Sequence, residues 1–116
     1  MLERTWTALQ DAELSGGAKY FTILRNRVEN PAMEFADLAQ QFTDLLGKPV
    51  SAGNARVMVH RSRIRFAKLM IQKIADSLES PTKEAIEEEL IDLRLIDFCR
   101  EELSQFEGVE KSDSDL

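Results

Sequence analysis

Between Pro49 and Pro81 apolar residues return with the period of an α-helix and then change sides. Plotted at about 100° per residue, Ala55, Val59, Ser62, Phe66, Leu69 and Met70 fall in one sector about 100° wide. After Met70 the stripe moves, and Ile71, Ile74, Ala75 and Leu78 take the side that carried His60. A helix over about 52–78, roughly 40 Å long at 1.5 Å per residue, must bury two different faces against two different elements. Any fold for this chain has to supply both.

The rest of the sequence offers only helices for that purpose. β-branched alternating runs are absent, and five glycines and three prolines punctuate the chain sparsely, so it reads as all-α with about five helices. The first covers about Leu2–Leu14, with Leu2, Trp6, Leu9 and Leu14 on one side, and Ser15-Gly16-Gly17 stops it. The second, about Ala18–Glu29, aligns Phe21, Leu24 and Val28 and breaks at Asn30-Pro31, because the residue before proline avoids the α region. The third, about Met33–Leu46, places Phe35, Leu38, Ala39, Phe42 and either Leu45 or Leu46 on one face. Gly47 is its expected C-cap, and Ser51 the N-cap of the long fourth helix.

Ser80-Pro81 predicts the start of a fifth helix, with a capping serine and a first-turn proline, running to about Phe106 and ending near Gly108. Its series Ile86, Leu90, Leu93 and either Ile96 or Asp97 is the expected partner of the displaced stripe at Ile71–Leu78. Residues 1–78 thus form one helical domain and 79–108 an acidic C-terminal helix packed on it. Residues 109–116 are expected to be a disordered acidic tail.

The chain has 116 residues, 43% hydrophobic and 31% charged, which suits one soluble globular domain. No apolar run approaches the roughly 20 residues that a membrane span needs. The amino terminus lacks a charged-then-apolar signal pattern, and the single cysteine, Cys99, allows no internal disulfide. A reducing cytoplasm is the expected compartment.

The net charge of −6 conceals a segregation. Residues 51–73 hold Arg56, Arg61, Arg63, Arg65, Lys68 and Lys73 with no acid, whereas residues 79–116 hold 13 acidic and 4 basic side chains. A basic contact surface and an acidic segment therefore share one chain. On the fourth helix Arg56, Val57, His60, Arg61 and Ile64 lie opposite the packed stripe, flanked by Arg65 and Lys68. An arginine-rich face opposite a buried one suits insertion into a DNA major groove, with the third helix bracing the fourth across a short turn. The same pattern also fits a plain helical hairpin whose basic face meets water.

The residues themselves carry a resemblance. Phe35-Ala36-Asp37-Leu38-Ala39-Gln40 followed by Ser51-Ala52-Gly53-Asn54-Ala55-Arg56-Val57-Met58-Val59-His60-Arg61-Ser62-Arg63-Ile64-Arg65-Phe66 resembles region 4 of bacterial RNA polymerase sigma factors, of the extracytoplasmic-function group. Ser51, Gly53, Arg56, His60, Arg61, Arg63 and Arg65 match the family pattern directly, over a segment of about residues 33–70. Ala39 to Gly53 is several residues longer than the family's spacing, and Val57 and Met58 replace a small polar and a basic residue.

The resemblance implies a helix-turn-helix domain that binds the upstream (−35) promoter element in transcription initiation. It implies DNA contacts by Ser51, Asn54, Arg56, Val57, His60, Arg61, Arg63, Arg65 and Lys68. Core RNA polymerase, through its β-subunit flap, is the implied protein partner, and an anti-sigma protein is a further one. No catalysis, cofactor, metal or membrane partner is implied. No region 2 is present, so the chain would be either a domain of a longer sigma factor or a protein that never melts a promoter. A stand-alone, dimeric helix-turn-helix regulator and a protein-interaction module meeting an acidic partner are the alternatives.

Other chemistry-bearing residues read as structural. His60 is the only histidine, which leaves no multi-histidine metal site, and it reads as a polar contact residue on an exposed helix rather than a catalyst; no glycine-rich phosphate loop exists. Glu87-Glu88-Glu89 point in three directions around a helix and read as a solvated face. Trp6, Tyr20 and Phe21 read as core aromatics, and Cys99, among Ile96, Phe98 and Leu103, as a buried inert thiol.

Overall fold

The computed structural model describes residues 2–105, and these form six α-helices and no strand. They are α1 (Leu2–Leu14), α2 (Tyr20–Glu29), α3 (Phe35–Leu46), α4 (Ala52–Ser77), α5 (Lys83–Asp92) and α6 (Ile96–Ser104). The chain divides into a central unit, Leu9–Arg65, and a terminal unit made of the residues up to Ala8 and those from Phe66 onward. No helix among the described residues is long and apolar enough to cross a membrane. The expected acidic tail at 109–116, and the expected helix end near Gly108, lie outside the described residues.

In the central unit α1 stops where glycine was expected to stop it. Gly16 has φ 94°, and the Gly16 and Gly17 N–H groups donate to the carbonyls of Glu13 and Ala12. This is the paired-bond stop that needs a left-handed residue. The next helix has no cap of its own at Lys19. Instead the Glu13 carboxylate accepts both the Thr22 backbone N–H at 3.0 Å and the Thr22 hydroxyl at 2.6 Å. An acid from one helix thus satisfies a free donor in the first turn of the next, where negative charge is favoured.

The buried side of α2 differs from the expectation. Ile23 and Leu24 are buried, Phe21 is half-buried, and Val28 is 52% exposed. Ile23 joins the core formed by Leu38, Ala39, Phe42, Ala55 and Val59, and Val28 lies about 140° round the helix from it. Leu14, expected on the apolar side of α1, is 76% exposed. On α3 it is Leu46 that packs on the core, while Leu45 is 53% exposed. That helix begins two residues later than expected, since Glu34 is extended and the Met33 carbonyl accepts from Arg27.

Both stripes of α4 are largely buried, with Leu69 and, just past the helix end, Leu78 half-buried. Ala55, Val59 and Ser62 are buried in the central unit, and Ser62 returns its hydroxyl proton to the Met58 carbonyl at 2.8 Å. Phe66, Met70, Ile71, Ile74 and Ala75 are buried in the terminal unit, with Ile86 and Leu90 of α5. Leu93, expected in the same series, is 37% exposed. Trp6 stacks tilted on Phe66 at 4.8 Å, and Phe66 meets Phe98 edge-on at 5.9 Å. Trp6 is thus part of the aromatic packing of the terminal unit, and Tyr20 and Phe21 are half-buried in the central unit.

The expected fifth helix is two helices. Thr82, not Ser80, caps α5, its hydroxyl accepting from the Ala85 N–H at 3.1 Å, and Pro81 stays outside the helix. The break follows Asp92: Arg94 adopts φ 60°, its N–H donates to Ile91 and the Leu95 N–H donates to Leu90. This is the same paired-bond stop as at Gly16, with arginine in the glycine position. It lets α6 fold back on α5, where Cys99 and Leu103 are buried and Lys83 Nζ donates to the Ser104 carbonyl. Glu87, Glu88 and Glu89 are exposed.

Left-handed backbone costs a non-glycine residue about 1–2 kcal/mol. Arg94→Gly should therefore stabilise the protein by about 0.5–1 kcal/mol after the added unfolded-state entropy, seen as a higher denaturant midpoint with unchanged slope. Leu90→Ala should destabilise it by roughly 2–5 kcal/mol in the same titration, because a fully buried side chain leaves a cavity.

Candidate nucleic-acid interface

The amino-terminal half of α4 is held by its start and its back. Gly47, at φ 71°, ends α3 with its N–H on the Thr43 carbonyl. The Thr43 hydroxyl donates to Ala39 and accepts the Val50 N–H at 3.0 Å, which pins the connection 47–51 to the helix before it. Ser51 then accepts the Asn54 N–H at 3.1 Å and opens α4, as the capping pattern predicts. From there Ala55 and Val59 turn into the core with Leu38, Ala39 and Phe42.

That burial dictates what is left outside. Ser51, Asn54, Arg56, His60, Arg61, Arg63 and Arg65 are exposed, and Val57 is 44% exposed. Lys68 is exposed as well but belongs to the terminal unit. Ile64, expected outward, is half-buried, and Met58 packs against the core. Arg56, Val57, His60 and Arg61 fall within about 140° of helix surface. Arg63 and Arg65, two positions apart, are separated by about 200° and flank that surface on opposite sides. No ion pair joins any of these arginines to a carboxylate among the described residues. The positive charge is left available to an anion from outside.

Two further features were not legible in the sequence. Arg27 of α2 and Arg56 both place their guanidinium carbons over the Phe35 ring, at 5.0 and 4.9 Å from its centroid. Arg27 sits on a different helix, with neither motif nor period to link it to Arg56; only an aromatic residue between two cations could have hinted at it. Elsewhere in the same unit, a cavity of about 410 Å³ has Tyr20, Ile23, Leu46 and Met58 in its wall and Lys19, Lys48 and Arg61 among its polar residues.

The described residues hold no cluster of three or more His, Cys, Asp or Glu that could bind a metal ion. Cys99 is fully buried, and burial, with the nearby Glu102 charge, pushes its thiol up to about 11. A thiol so held is a poor nucleophile. Compared with protein-family models, curated proteins and solved structures, the chain gives no match.

The raised Cys99 value has a consequence for stability. The folded state keeps the proton longer than the unfolded chain, so the contribution is complete below the unfolded thiol value of about 8.5 and is lost as pH rises toward 11. Denaturation of wild type and Cys99→Ala, compared across that window, should show the steeper loss in wild type. Native thiol should also react with Ellman's reagent at pH 8 far more slowly than unfolded thiol.

Proposed function

We propose that this protein is a DNA-binding domain of helix-turn-helix type, resembling sigma factor region 4, that recognises a promoter element and acts without chemistry of its own. The observation that carries the reading is the division of α4: Ala55 and Val59 are buried with the residues of α3, while Arg56, Val57, His60 and Arg61 are exposed on the other side. In this reading α3 crosses the DNA backbone and α4 presents its amino-terminal half to the major groove. The length that exceeds the family's spacing falls in an α3 that runs on to Leu46 and in the connection 47–51. Arginines without internal carboxylate partners suit phosphates and guanine edges, and they make binding depend on salt.

Core RNA polymerase is the proposed protein partner, as the family resemblance suggests, in a cytoplasmic setting. A second reading, an interaction module for an acidic protein segment, is favoured by the cavity near Tyr20 and Met58. There Lys19, Lys48 and Arg61 accompany apolar wall residues, with no acid among the lining.

Fluorescence anisotropy with labelled duplexes of varied sequence tests the DNA reading. Wild type should bind with an affinity that falls steeply from 50 to 200 mM salt. Arg61→Ala should cost about 1–3 kcal/mol on the preferred duplex and flatten the preference at one base position, with thermal unfolding unchanged. Salt-independent binding, or an Arg61→Ala variant equal to wild type on every duplex, would remove this face from the proposal.

A further inference from the structure

Phe35 carries more than a packing role. Its ring holds the guanidinium carbons of Arg27 and Arg56 at 5.0 and 4.9 Å from one centroid, so the two cations are at most about 10 Å apart. Both arginines line one open cleft of about 440 Å³, together with Met33, Glu34, Ala36 and Ala52. Arg27 spends one N–H on the Met33 carbonyl, which fixes its position, and neither arginine meets a carboxylate among the described residues. Ala52 is the first residue of α4, a helix of 26 residues, so the positive end of its dipole borders the same cleft.

Two like charges brought near one ring repel each other, and an anion that reaches both relieves that repulsion. A phosphate accepting charge-assisted bonds of about 2.8 Å from each guanidinium bridges two such carbons at roughly 8 Å, within the limit the ring sets. A tetrahedral oxyanion presents oxygens in several directions and so can accept from guanidinium groups on two separate helices.

We infer that Arg27, Phe35 and Arg56 form a phosphate cradle. Its ligand is a tetrahedral phosphate oxyanion, either free or in a DNA backbone. The DNA half of the inference rests on the function proposed above and changes one assignment within it. Arg56 becomes a backbone contact held by Phe35 and Arg27, and sequence reading passes to Val57, His60 and Arg61. Phe35 is a positioning residue that fixes both guanidinium groups before the anion arrives. Glu34, the one carboxylate lining the cleft, weakens the cradle without closing it.

Two measurements on the full chain test this. In the first, inorganic phosphate is titrated while the Nε–Hε resonances of the arginines are followed by NMR. Arg27 and Arg56 should shift saturably and Arg25 and Arg100 should not, Arg27→Gln should abolish the shift at Arg56, and Glu34→Gln should tighten binding. In the second, Arg27→Gln should weaken duplex binding several-fold by the same factor on every sequence and lower the salt slope by about one. Arg27→Lys, which keeps the charge but not the fork, should recover only part of that loss and guards against a folding defect.

Saturable phosphate shifts with no effect of Arg27→Gln on DNA would assign the cradle to a free phosphate. Saturable shifts in a protein that binds no duplex would keep the cradle and defeat the DNA reading. Normal DNA binding by both Arg27 variants, without saturable phosphate shifts, would overturn the cradle and leave the DNA reading standing.

Discussion

Ile23 of α2, Leu38, Ala39 and Phe42 of α3 and Ala55 and Val59 of α4 share one buried cluster, and what the central unit exposes follows from it. Small side chains at a helix contact reduce the separation of the axes, which otherwise lies at 8–10 Å according to the residues that meet there. Leu38, Phe42 and Val59 fill the space beside Ala39 and Ala55, and full burial of each such side chain contributes about 1.5–3 kcal/mol. With Ala55 and Val59 committed to that core, the helical period leaves Arg56, His60 and Arg61 no place but the surface. The basic face is thus a by-product of apolar packing, set by a core that contains none of its residues.

The same helix shows how a side chain's place is decided by phase. Its stripe shifts after Met70, and residues on either side of the shift are buried in different units, Ala55 and Val59 in one, Ile71 and Ile74 in the other. Both faces of α4 were legible because burial follows a fixed angular period. Where the period alone misled, a competing contact explains it. Ile23 joins the core and turns Val28 outward, and Leu46 takes the place that Leu45 could equally have filled.

Electrostatics in this chain works by separation more than by pairing. The ion pairs Arg25–Glu29 and Arg100–Asp97 each join exposed neighbours on one helix. Such pairs contribute little. The charge that matters locally is placed against dipoles and rings: Glu13 at the first turn of α2, Arg27 and Arg56 on Phe35. A cation held by a ring keeps its N–H groups for other acceptors, whereas one paired with a carboxylate has spent them.

Helix stops mark the boundary between what the sequence determined by itself and what the tertiary structure decided. Gly16 and Gly47 announced their left-handed conformations, and Ser51 announced its cap, because each is a local preference written in one residue type. The helical period announced the faces of α3 and α4 in the same way, and the clustering of six cations at 51–73 required no structure to see. The stop at Arg94 carried no such sign, since arginine is an ordinary helix former whose positive φ is imposed by the return of α6 onto α5. The cap that Glu13 lends to Thr22, the meeting of Trp6 with Phe66, and the two arginines on Phe35 likewise join residues that no local period connects. Contacts of that kind depend on how helices come together in space, and sequence neighbours carry no record of it.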